Sequence, residues 1–166
     1  MEQNAIRRNL WNSAGKAGLL LGLLSSVYLF INQWTTSAGI SGFPGVLLNI
    51  VLWCAKFGGC IMLMMYFMKK FVAENPEADN SKTFRFGMAA ALLSALIYSA
   101  VSFANVAFIS ADFFAEQMDK MLAKMPQITF FSNLIYCFIY GTVLSAILSR
   151  NIPSRDPFAD YRPEEQ

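Results

Sequence analysis

Lys56 stands near the middle of Gly45 to Met68, where it is the one charged residue of an otherwise apolar run. A cation there suggests three kinds of chemistry. It can hydrogen-bond to amides, hydroxyls or carbonyls, it can meet an anionic ligand or lipid, or it can lose its proton through desolvation. Asn49, Trp53, Lys56 and Cys60 recur every three or four residues and so share one helix face. Asn105 in a later apolar run, and Asn133, Tyr136 and Tyr140 in the last one, add polar groups at comparable depth. None of these runs contains Asp or Glu. An internal salt bridge to Lys56 is therefore not available, and the candidate ligand-binding set is Lys56, Asn49, Trp53, Asn105, Asn133, Tyr136 and Tyr140. An intramembrane ionisable residue costs about 3 kcal/mol on insertion scales and marks a functional site by default. The competing reading is a lysine that packs its stem along the bundle and extends its amine toward the outer polar region. That reading is the default from sequence alone. The Trp53 ring could face the ammonium, or simply pack beside it.

Other chemistries lose their residues. The chain has no histidine, which removes the usual general base, the Ser-His-Asp triad and imidazole metal sites. Cys54, Cys60 and Cys137 all lie in apolar runs and form no C-x-x-C pair, so they read as small packing residues. Met62, Met64, Met65 and Met68 do not share one face and read as apolar filling rather than a soft-metal site. No catalytic residues, no metal site and no cofactor are expected, and the protein is not expected to be an enzyme. A net charge of +2 is too small to argue for nucleic acid.

The elements that carry these residues are membrane spans. The composition is 55% hydrophobic and 14% charged, against about 25% charged in an average soluble domain. A helix needs roughly 20 apolar residues to cross a bilayer. Four runs qualify, at about 14–31, 45–68, 83–109 and 128–148. The first is expected to remain as an uncleaved helix, since only the weak Thr36-Ser37-Ala38 resembles a signal-peptide site. Residues 32–44, with Gly39, Gly42 and Pro44, have a turn composition, and hydrophilic residues 69–82, with Pro76, read as a loop. Between spans three and four, residues 111–125 place Phe114, Met118, Met121, Leu122 and Met125 at helical spacing. Ser110 is the candidate cap and Pro126 the stop, so a short amphipathic helix is expected, either on the membrane or over the bundle. The proline-rich tail, 151–166, is expected to be disordered.

Basic residues set the orientation. Arg7, Arg8 and Lys16, then Lys69, Lys70, Lys82 and Arg85, then Arg150, Arg155 and Arg162 all fall on one side of the expected topology. Only Lys120 and Lys124 fall on the other. Both termini are expected to be cytoplasmic. The cluster at Lys69, Lys70, Lys82 and Arg85 could also attract anionic headgroups, although orientation alone accounts for it. The pairs Phe113-Phe114 and Phe130-Phe131 read as interfacial anchors.

Small residues set the packing, because lipid gives helices no hydrophobic reason to associate. Each span carries a stripe of them: Gly15, Gly18, Gly22 and Ser26; Ala55 and Gly59; Gly87, Ala91, Ala95 and Ser99; Cys137, Gly141, Ser145 and Ser149. With short connections, the expected fold is an all-α membrane protein, an antiparallel four-transmembrane-helix bundle spanning residues 1–150. The same stripes would also serve a homodimer.

The run L-W-C-A-K-F-G-G-C at 52–60, T-F-R-F-G at 83–87, F-I-S-A-D-F at 108–113 and Y-G-T-V-L-S-A-I-L-S-R at 140–150 carry a resemblance. With the four-span layout, they resemble the domain-of-unknown-function 4199 family, small membrane proteins of Bacteroidota. The resemblance covers roughly residues 10–150. It implies a bacterial cytoplasmic (inner) membrane protein and brings no catalytic or binding residues with it. The expected function is that of a non-enzymatic structural or accessory membrane component. The alternative is a small transporter, or an anion- or lipid-binding protein, that uses Lys56. The expected partners are the lipid bilayer and, on the alternative, an anionic lipid or anionic small molecule.

Overall fold

Two glycines with left-handed backbone, Gly39 at φ 68° and Gly42 at φ 75°, end the first helix and admit the second. L side chains rarely adopt that conformation. The computed structural model describes residues 2–39, 42–75, 78–109 and 125–152, and every element among them is helical. Helix α1 is Glu2–Ser37, α2 is Gly42–Glu74, α3 is Asn80–Ala104 and α4 is Met125–Asn151. A wider π-helical turn, Asn105–Ile109, continues α3. At 1.5 Å per residue the helices run from about 40 to about 55 Å. All four contain segments long and apolar enough to cross a membrane. The expected amphipathic helix at 111–125 lies outside the described residues save for Met125, and the expected disordered tail does so from 153 onward.

The helices overrun the apolar runs at both connections. Residues 69–74 are helical, not loop, because nothing in KKFVAE breaks a helix before Asn75 and Pro76. Phe71 holds this last turn in place, buried and stacked on Phe86 of α3 at 4.5 Å between ring centroids. Asn75 then closes the helix, its Nδ2 donating to the Phe71 carbonyl at 2.9 Å. Asp79 caps α3 by accepting the Lys82 N–H at 2.8 Å on Oδ1. At the other connection α1 continues to Ser37, so the turn expected over 32–44 shrinks to the few residues about Gly39.

Helix α3 is the hub. On one side Gly18 and Gly22 of α1 lie against it. A Cβ at Gly18 would fall 2.6 Å from Leu93 Cβ and 2.9 Å from the Ala90 carbonyl, and one at Gly22 would fall 2.8 Å from Ile97 Cβ. On the other side Gly87 meets Ser145, and Gly141 meets Ala91, both of α4. Residue numbers rise together between α1 and α3 and run counter between α3 and α4. The interior is accordingly small: Ala14, Ala17, Ala90, Ala95, Ser99 and Ser145 are all buried. Two residues of the small-residue stripes stay out of the packing. A side chain at Gly15 would meet nothing within 4 Å, and Ala55 is exposed.

Helix α2 is buried most deeply against this trio at one end. Met64, Met68 and Phe71 are buried against it. Lys16, Lys70 and Glu74 line a shallow recess of about 70 Å³ at that end. Toward its start the helix leaves the bundle, and Phe43, Val46, Leu47, Ile50 and Val51 are exposed. The outer surface elsewhere is large and apolar, with Leu19, Val27, Ile135 and Ile147 also exposed.

The close approaches give a graded prediction. Gly18→Ala and Gly141→Ala are expected to destabilise the bundle by about 1–3 kcal/mol, because a methyl group must displace neighbouring backbone or Cβ atoms. Gly15→Ala is expected to be neutral or to stabilise by about 0.5–1 kcal/mol through helix propensity. Denaturant unfolding of the purified chain in detergent measures all three, and equal effects at Gly15 and Gly18 would contradict the packing.

Candidate functional site

Lys56 sits where α2 parts from the other helices. It is half-buried, and its stem points inward because Trp53, Lys56, Phe57 and Cys60 occupy the inward arc of α2 at this level. The Nζ lies 4.7 Å from the centroid of the Tyr98 ring on α3 and 6.0 Å from that of Trp53. Among the described residues it makes no hydrogen bond or ion pair; the ion pair seen is the exposed Lys70–Glu74 contact at 3.9 Å. Ring faces are thus its nearest compensation, at about 1–2 kcal/mol for a partly desolvated cation.

Aromatic side chains build the surrounding wall. Trp53 and Phe57, one turn apart on α2, lie 5.2 Å apart, and Phe57 meets Tyr140 of α4 edge-on at 5.2 Å. This row bridges α2 to α4. Behind it lies a cavity of about 80 Å³ reached by all four helices, through Ser25, Lys56, Tyr98, Tyr136, Cys137 and Leu144 among others. The cavity is open between α2 and α4, where Trp53 and Tyr136 line it while remaining 51% and 57% exposed. A second cavity of about 140 Å³ lies between α1 and α2, lined by Tyr28, Leu29, Asn32 and Leu52. Trp53, Lys56 and Tyr98 border both. The two cavities therefore share these three side chains, and no carboxylate lines either one.

Four of the seven residues singled out from sequence converge here: Lys56, Trp53, Tyr136 and Tyr140. The three asparagines do not. Asn49 shares the Lys56 face but lies two turns earlier, where α2 has left the bundle, and it is exposed. Asn133 is spent on helix packing, its Nδ2 donating to Ser102 Oγ at 2.9 Å. Asn105 lies at the junction of α3 with the π turn; its N–H bonds to the Ser102 and Val101 carbonyls, and its Oδ1 is buried without a partner among the described residues. Neither residue lines either of the cavities that Lys56 borders.

Sequence reasoning missed Tyr98, whose ring centroid lies 4.7 Å from the amine, along with Tyr28, Asn32 and Ser94. Tyr98 had a detectable signal: it is a hydroxyl-bearing ring one helical turn beyond Ser94. Cys60, set aside as packing, faces the cavity with its Sγ 3.8 Å from Ser25 Oγ. Among the methionines, Met64 and Met68 are buried, whereas Met62 is exposed. No group of His, Cys, Asp and Glu among the described residues could hold a metal ion.

Fold and site together define an all-helical protein with four membrane-compatible helices and a cation set in an aromatic cavity between them. Compared with models of protein families, with curated proteins and with solved structures, the chain matches none.

An amine without an anion should be a net cost. Lys56→Met, which keeps the stem and removes the charge, is expected to raise the unfolding free energy by about 1–2 kcal/mol, less than the full mid-bilayer penalty because Tyr98 offsets part of it. Denaturant unfolding of the ligand-free protein in detergent is the measurement. A loss of stability instead would mean that the charge already has a partner.

Proposed function

We propose that the chain is a multi-pass membrane protein with a binding rather than a catalytic role, and that its ligand is an anion held at Lys56. Membrane insertion is supported by the inverted distribution of side chains: alanine, serine and glycine inside, and large aliphatic and aromatic residues outside. A soluble protein does not leave so much contiguous apolar surface in water. The contact pattern supports an up-down antiparallel bundle, with Phe71 opposite Phe86 and Met64 near Gly87 for α2 and α3, and Gly87 opposite Ser145 for α3 and α4.

The basic residues support the orientation. Lys16 and Lys70 share one recess, and Lys82, Arg85 and Arg150 belong to helix ends on the same side, which would be cytoplasmic by the positive-inside rule. The resemblance to the domain-of-unknown-function 4199 family belongs to this proposal as the source of the bacterial cytoplasmic membrane, and it supplies no activity. Tagged termini are expected to stay protected from protease in right-side-out vesicles and to be cleaved in inverted ones; termini on opposite sides would overturn the topology.

The observation that carries the anion is the position of the amine. A lysine serving only orientation or packing would send its amine along the helix to a polar boundary. Lys56 instead borders two internal chambers and has no counter-charge in either. A purely structural or accessory role explains the helices but leaves this feature unused. In a medium of low polarity, an arriving anion gains far more from such a cation than it would in water.

A panel of anionic lipids and carboxylate metabolites, screened by thermal unfolding of the purified protein, tests the assignment. At least one anionic compound is expected to raise the midpoint of the native chain by several degrees, with no shift for Lys56→Met. Equal shifts in both proteins, or none in either, would remove the anion site.

A further inference from the structure

Resting on the anion site just proposed, we infer that its ligand is a single-chain anionic amphiphile, a long-chain carboxylate, that enters from the lipid phase between α2 and α4. The two chambers that meet at Lys56 differ in chemistry. The one between α1 and α2 is lined by Asn32 and Tyr28 as well as Lys56, and suits a solvated headgroup. The one between α2 and α4 continues from Lys56 past Phe57 to Leu21, Met64 and Leu144, and suits methylenes. A small hydrophilic anion would have no use for the second chamber, and a neutral hydrocarbon would have none for the cation.

The size of the apolar chamber fixes how the ligand lies. At about 80 Å³ it holds only the first part of an alkyl chain. The remainder must leave the protein, and the outlet runs between the half-exposed rings of Trp53 and Tyr136. The exposed Ile135, Ile139 and Val143 of α4 continue this apolar surface along the helix. A lateral outlet of this kind serves a ligand already dissolved in the bilayer. One carboxylate matches the one lysine, since no second cation lines either chamber.

The test uses the full chain in phosphatidylcholine nanodiscs and a photoactivatable C16 fatty acid, with crosslinked peptides mapped by mass spectrometry. Labelling is expected to saturate and to fall on peptides of α2 and α4 around Phe57 and Leu144. Palmitate should compete, whereas methyl palmitate and acetate should each compete at least tenfold less well. Lys56→Met and Leu144→Trp, the latter filling the apolar chamber, should each cut labelling at least tenfold.

If acetate competes as well as palmitate and Lys56→Met abolishes that competition, the anion site stands and the amphiphile is wrong. If methyl palmitate equals palmitate, the charge has no role and both readings fall. Labelling that never saturates and spreads over every lipid-facing helix would reduce the signal to bulk lipid contact and overturn the inference. Should Leu144→Trp not fold, the competition series on the native chain decides alone.

Discussion

Close approach of backbones along α3 is the constraint on which the rest of this structure depends. Helices in an apolar medium gain little from burying aliphatic side chains, so they associate where small residues let main chains approach. Gly18 and Gly22 bring α1 onto one side of α3, while Gly87, Ala91 and Gly141 bring α4 onto the other. Two serines on these faces return their hydroxyls to their own helix, whereas Ser99 Oγ is buried without a partner among the described residues. Ser26 donates to the Gly22 carbonyl at 2.8 Å and Ser145 to the Gly141 carbonyl at 2.6 Å. Three helices are thereby drawn together and the fourth is left to fit what remains.

The cavity follows from that arrangement. Helix α2 meets the trio through bulky residues, Met64, Met68 and Phe71, and these close the bundle at one end. At mid-length its inward residues are Trp53, Lys56 and Phe57. They are too large and too polar to enter a glycine groove. Phe57 instead props α2 against Tyr140, and the space behind the prop is the chamber that Lys56 borders. The same side chains therefore hold the helix off and line the space that results.

Much of the fold was legible because it rests on run length and spacing. Four apolar runs became four helices, and the stripes through Gly18, Gly22, Gly87, Ala91, Gly141 and Ser145 became real contacts. The helix ends were not legible from hydropathy. Residues 69–74 hold Lys69, Lys70 and Glu74, yet a helix continues until proline or glycine stops it, and Phe71 gave this one a reason to continue. The site was legible in part. Lys56 stood out because a charge in an apolar run is rare, and Trp53 followed from helical spacing. Asn49 shared that spacing but not the location, since period gives direction around one helix and nothing about whether a neighbour is there. Tyr98 was hidden for the converse reason: its own helix gave little sign that the lysine of another would reach its ring.

The energetics of the lysine bear on why a binding role fits better than a passive one. If the helices span a bilayer as proposed, an unpaired cation at that depth would hold the empty protein below the stability its packing could give, by an amount of order 1–3 kcal/mol. Replacing an unpaired buried charge by an apolar residue is commonly neutral or stabilising, so packing alone gives no reason for the lysine. A bound anion reverses the sign, because pairing in low dielectric recovers the penalty and adds the attraction. The recovered energy appears as affinity, and it is available only to ligands that bring a negative charge to that depth. On the proposed binding role, neutral lipids would gain nothing from the amine, so selection against them would follow from the cost of leaving Lys56 without an anion, a cost that the aromatic wall limits without removing.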